Sequence, residues 1–218
     1  ARWSSASGRC KTAFYERNLL KKSNGSIQSI SRVIKSSESK KYVWISDIQG
    51  SGKSAVLRNI FEFKMRSYRK DFWISFISLE DFEDVLKSYD TTSSKKTLHS
   101  LLNIKSPFEE FAFKKFYDGN KVILLIDGID NLSLKARLNL LLLINDPKLH
   151  QIWLTCKPSY DTLIESQVYS IEPLSSTIPN IAYYIDSKTF KFNDKNALKC
   201  FQNFEKTAVV GLPMIIEI

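Results

Sequence analysis

Cysteine is scarce in this chain of 218 residues. Cys10, Cys156 and Cys200 are odd in number, far apart and without Cys-x-x-Cys spacing. That argues against a disulfide framework and a zinc site, and it fits a reducing compartment, so a cytoplasmic location is expected. Histidine occurs only at His99 and His150, again without ligand spacing. No apolar run approaches the ~20 residues that cross a bilayer, so no membrane span is expected. No internal repeat is present, which removes solenoids and propellers. An initial methionine is also lacking, and residues 1–9 are Arg/Ser-rich in the manner of a transit peptide. The expectation is a fragment of a longer protein.

What the chain does have is ample apolar content, 43%, enough for a buried core and against global disorder. Its formal charge of +9 is uneven. Residues 1–70 hold 16 Lys/Arg against 4 Asp/Glu, whereas the remaining 148 hold 16 against 19. A basic N-terminal third can meet nucleic acid or an anionic membrane. The cations are scattered rather than blocked, however, so a solvated basic face beside a phosphate site is the preferred reading.

The chain is organised around Tyr42-Val43-Trp44-Ile45-Ser46-Asp47-Ile48-Gln49-Gly50-Ser51-Gly52-Lys53-Ser54. An apolar run reads as a buried strand, a Gly-rich turn follows, and Ala55 to Phe61 opens a helical pattern. This is the order of a phosphate-binding P-loop. Glycines let successive N–H groups converge on one anion, and the helix N-terminus adds its positive dipole end. The expected nucleotide contacts are Gln49, Gly50, Ser51, Gly52, Lys53, Ser54 and Ala55. Lys53 would reach the β- and γ-phosphates, and Ser54 would ligate Mg²⁺. The pattern asks for glycine at 47, where this chain has Asp47.

Lys121-Val122-Ile123-Leu124-Leu125-Ile126-Asp127-Gly128-Ile129-Asp130-Asn131 delivers an acid at the end of an apolar run. This is the Walker B arrangement, with Asp127 holding Mg²⁺ through water. Elsewhere the periodicity predicts helices over residues 14–22, 98–104, 107–117 and 134–144. Ile27, Ile30, Val33 and Ile34 read as one helix face. Strands are expected over residues 72–79, 151–155 and 167–171, and residues 88–97 read as a loop-like insert. Residues 178–185 and 195–207 read as helical. Alternating strands and helices imply an α/β fold, a three-layer α/β/α sandwich on a mainly parallel sheet. The expected division is a helical, basic lead-in over 1–40, a P-loop NTPase domain over 41–174, and the start of a small helical lobe over 175–218.

Four stretches then stand in order: Gly50-Ser51-Gly52-Lys53-Ser54, Asp127-Gly128-Ile129-Asp130, Leu154-Thr155-Cys156-Lys157-Pro158 and Gly211-Leu212-Pro213. Over roughly residues 40–215 the set resembles the STAND class of signalling P-loop ATPases, and within it the NACHT branch, including relatives with TPR or WD repeats. The resemblance implies Lys157 as a sensor of the γ-phosphate and Pro213 on the adenine side. Asn131 stands where the family has a last acid, leaving Asp130 as the candidate base. Lys157 stands where the family has arginine, losing a planar fork. With Asp47, these departures predict a site that binds ATP (or ADP) with Mg²⁺ well and hydrolyses slowly.

The resulting expectation is a nucleotide switch in signal transduction, acting through protein partners or self-association by flanking domains. The alternatives are a non-hydrolysing nucleotide-binding scaffold and a nucleic-acid-dependent AAA+-type ATPase. For the last, no helix-turn-helix, RNA-binding or zinc signature is present, so nucleic acid is not the favoured partner. No Asn-Lys-x-Asp guanine-reading motif occurs, which favours ATP over GTP by resemblance.

Overall fold

The strand at the centre of the argument, β3 (Tyr42–Ser46), is apolar on both faces because both faces are covered. Trp44 packs into one core with Ile126 and Leu154, while Val43 and Ile45 pack into another with Val56, Leu57 and Ile60. Strands buried on both sides read as continuous apolar runs, and β3 and β5 (Val122–Asp127) both do. The computed structural model describes residues 17–90, 94–158 and 167–172.

Within that region the elements run β1 (Leu19–Lys21), β2 (Ile27–Gln28), α1 (Ile30–Ser36), β3, α2 (Lys53–Tyr68) and β4 (Trp73–Ser78). Then follow α3 (Glu83–Lys87), α4 (Ser94–Leu101), α5 (Pro107–Asp118), β5, a 3-10 turn (Ile129–Asn131), α6 (Leu134–Ile144), β6 (Leu149–Cys156) and β7 (Gln167–Ile171). One seven-stranded sheet has the order β2-β1-β7-β3-β6-β5-β4. The five strands from β7 to β4 are parallel to their neighbours, and β1 and β2 add an antiparallel edge. Helices α1 and α2 cover one face, and α3 to α6 the other, giving three layers with a core on each side.

Local chemistry explains several boundaries. Ser106 and Glu109 form a reciprocal capping box at the start of α5, with Pro107 inside it. Ser29 accepts from the Arg32 amide at 3.4 Å and starts α1. Gln151, buried in β6, donates to the Lys40 carbonyl at 3.1 Å and so ties the end of the α1 segment to the sheet.

Three expectations need correction. Residues 19–21 of the expected 14–22 helix are a strand: fully buried Leu19 sits on the β7 edge, and that edge supplies backbone partners a helix could not use. Ile27 lies in β2, 54% exposed, rather than on the α1 face, because the cap at Ser29 begins the helix after it. The loop-like stretch 88–97 contains the start of α4 at Ser94, where Thr97 and Leu98 are buried. The expected helices at 178–185 and 195–207, and the division at 175, lie outside the described residues.

Candidate functional site

The parallel register brings the chemistry to one edge. Ser46 of β3 pairs with Cys156 of β6, and Ile126 of β5 pairs with Leu154 of β6. The loop after β3, the acid ending β5 and the end of β6 therefore meet at the C-terminal ends of three adjacent strands, where open α/β sheets bind ligands. The Gly-rich loop and Asp127 are not on neighbouring strands: β6 lies between them.

The geometry of the loop fits an anion. Gly50 and Gly52 have φ of 82° and 93°, which lets the chain turn into α2 where a β-carbon would be strained. Gly52 is the N-cap of α2, no side chain caps it, and no acid stands in the first turn. The first-turn N–H groups of a 16-residue helix thus meet no protein side-chain cap. Ser51 is 4% exposed and its hydroxyl has no hydrogen-bond partner. A buried orphan hydroxyl beside an uncapped helix start fits an oxyanion. Gln49, Ser54 and Ala55 are solvent-exposed at the same turn.

Lys53 Nζ donates to the carbonyls of Asp47 and Ile48, each at 2.8 Å, which holds the ammonium over the loop. Burial pulls Lys53 below the ordinary lysine pKa, and Asp130, then Asp47, Cys156 and Asp127, pull it back up. Asp127 is held by Thr155, whose hydroxyl donates to Asp127 Oδ1 at 2.5 Å and accepts from the Gly128 amide at 3.2 Å. Asp130 sits in the 3-10 turn, and its Oδ1 accepts from the Lys157 amide at 2.9 Å. Lys157 thus meets Asp130 through its backbone, while the residue itself is exposed. Among the described residues no cluster of three or more His, Cys, Asp or Glu side chains forms a metal cage. One exposed hydroxyl, Ser54, and one half-buried carboxylate, Asp127, are oxygen donors of the kind that would suit Mg²⁺, an ion that keeps most of its waters.

Pro213 lies outside the described residues. Two side-chain contacts near the loop were missed from the sequence. Thr155 stood in a quoted motif but carried no role. The signal was a hydroxyl at the end of an otherwise apolar strand, 2% exposed and so in need of a partner. Lys22, in the basic lead-in, reaches Ser46 Oγ at 3.2 Å, and no local pattern announces a contact across the sheet. Asp47, where the pattern asks for glycine, turns its two oxygens to the amides of Ile48 at 2.7 Å and Ile171 at 2.8 Å.

No protein-family model matches the sequence, and no curated protein matches it. Solved structures do. One is described as a DNA replication initiation factor, at 15% identity and a TM-score of 0.50, covering 80% of this chain and 54% of that one. Another is Drosophila ORC bound to DNA, at 14% identity and a TM-score of 0.51, covering 86% and 53%. The chain thus spans about half the length of each. At such identities the likeness is one of fold: a P-loop NTPase three-layer α/β/α sandwich on a mainly parallel sheet. No helix among the described residues is long and apolar enough to cross a membrane.

Proposed function

We propose that this chain is a nucleotide-binding P-loop domain that takes ATP or ADP with Mg²⁺ and hydrolyses ATP slowly. The observation that carries the reading is the uncapped start of α2, with Gly50 and Gly52 in the left-handed region and Lys53 held over the loop by the Asp47 and Ile48 carbonyls. Lys53 and the first-turn amides of α2 bind and orient phosphate oxygens. Ser54 and Asp127 hold Mg²⁺, and Thr155 fixes the Asp127 carboxylate. Bound Mg²⁺ supplies charge neutralisation at the phosphates. Asp130 is the base candidate, but one of its oxygens already accepts from the Lys157 amide. Asn131 adds no second carboxylate. Both features favour slow turnover.

Two finer readings divide on the partner. A STAND- or NACHT-like switch is supported by the order of the four motifs. An AAA+-type ATPase working on nucleic acid is supported by the fold shared with Drosophila ORC bound to DNA and by the excess of Lys/Arg in residues 1–70. We favour the second, because two separate observations support it. Steep salt dependence of DNA or RNA binding is its expected signature, and no binding at low salt would end it.

The nucleotide reading is tested with Lys53→Ala. Loss of a charge-assisted phosphate contact lowers MgATP affinity by roughly 10- to 100-fold. Equal binding by the wild type and the variant, measured by calorimetry, refutes it. Single-turnover hydrolysis with Asp130→Asn separates a slow ATPase from a scaffold, since equal and negligible rates support the scaffold.

A further inference from the structure

We propose that Asp47 is a positioning residue: its carboxylate latches the phosphate loop to the C-terminal end of β7, keeping the loop in its anion-accepting form and coupling loop occupancy to the Ile171 amide at that strand end. The coupling rests on the reading of the loop as a phosphate site.

The position does not need glycine here. Among the described non-glycine residues only Asn103 and Asn120 have positive φ, so Asp47 sits in ordinary backbone. Its side chain then does what glycine cannot. The β3–β7 ladder ends at the pair Ile45 and Tyr169. Two residues further along, Asp47 Oδ2 accepts from the Ile171 amide at 2.8 Å, so a carboxylate oxygen satisfies the strand's next amide. Oδ1 accepts from the Ile48 amide at 2.7 Å, inside the loop. The Asp47 amide donates to the Cys156 carbonyl of β6 at 3.1 Å, and its carbonyl accepts from Lys53 at 2.8 Å. One residue therefore joins β6, β7, the loop and the loop's lysine.

The far side of β7 is held as firmly. Arg17 donates to the Glu172 carbonyl from Nε at 3.2 Å and Nη2 at 2.6 Å. Asn18 Nδ2 donates to Glu172 Oε2 at 2.9 Å, and the Glu172 amide donates to the Asn18 carbonyl at 3.0 Å. The end of β7 is thus gripped by the first described residues on one side and by the loop on the other. A shift of Ile48 therefore reaches Ile171 through the Asp47 carboxylate that both amides share. With both oxygens accepting N–H bonds, the carboxylate is also partly neutralised by the groups it holds.

The opposing account makes Asp47 a repulsive neighbour of phosphate, so that its removal tightens binding. The two accounts differ in sign and in salt dependence, because repulsion is screened and a latch is not.

The experiment uses Asp47→Asn and Asp47→Gly in the full chain, MgADP calorimetry at low and high salt, and amide exchange at Ile48 and Ile171. The expected result is binding weaker by about tenfold, by a similar factor at both salts, since a loop less often competent binds in proportion. Exchange at Ile171 quickens in both apo variants, more in the glycine variant. In the wild type, which needs no variant to fold, MgADP alters Ile171 protection. Tighter or unchanged MgADP binding in the variants overturns the proposal, as does unchanged Ile171 exchange in the apo variants or an indifferent Ile171 in the nucleotide-bound wild type. If the wild type takes up no MgADP, the phosphate reading falls with the coupling. The latch itself is then judged by apo exchange alone.

Discussion

Replacing Thr155 by valine keeps the side-chain shape but deletes one hydroxyl, and two bonds go with it. The bond to Asp127 Oδ1 is 2.5 Å long and charge-assisted, which assigns it roughly 1.5–3 kcal/mol. The bond from the Gly128 amide, 3.2 Å long, leaves a donor unpaired, at roughly 1–3 kcal/mol if no water replaces it. Asp127 is only half-buried and can rehydrate, so the expected loss is about 2–4 kcal/mol. Urea unfolding reads it as a lower midpoint at unchanged slope. The mechanism is isolated by a cycle with Asp127→Asn, whose expected coupling to Thr155→Val is about 1–3 kcal/mol. Thr155→Ser keeps the hydroxyl and costs only about 1 kcal/mol for its methyl group. If Thr155 also orients the Mg²⁺ acid, Thr155→Val weakens Mg²⁺-dependent nucleotide binding by about tenfold or more. A coupling under about 0.5 kcal/mol, or a serine variant as poor as the valine variant, refutes the assignment.

Three further outcomes follow from single features. Lys64 is 2% exposed and lies over the rings of Tyr68 and Trp153, and burial drives its pKa from 10.5 to about 8. The folded state therefore releases this proton before the unfolded state does. Stability accordingly rises between pH 8 and 10, by about 2–3 kcal/mol. Lys64→Met abolishes that rise and stabilises the protein at pH 7, as denaturant titrations at pH 7, 8 and 10 would show. Gly128 has φ of 89°, and an added β-carbon would find its nearest neighbour, Asn131 Nδ2, at 3.7 Å, so only backbone strain opposes alanine. Gly128→Ala lowers unfolding free energy by about 1–2 kcal/mol in urea melts. Ser106→Ala removes the α5 capping box and lowers thermal stability by about 1 kcal/mol.

The motif-bearing elements were readable in the chain because their signals are local. An apolar run ending in a Gly-rich turn, an acid after five apolar residues and the leucine-rich pattern of α6 depend on residues within one or two turns of each other. The strand expected over 72–79 and the apolar run before Asp127 follow from the same local rule, and they are observed as Trp73–Ser78 and Val122–Asp127. The same locality limits such reading. Residues 19–21 look helical by themselves, and it is the β7 edge, some 150 residues away, that makes them a strand. The placement of β6 between the phosphate loop and Asp127 depends on backbone pairing between distant strands. Thr155 has no chemical role until Asp127 and Gly128 stand beside it. The difference is sharpest at Asp47. The order of residues identified the phosphate loop and marked this aspartate as its one departure from pattern. Whether the carboxylate faces the phosphates or turns away depends on a partner 124 residues later, the Ile171 amide. A side chain's direction is set by the donors that folding brings within reach, and those donors have no fixed distance along the chain.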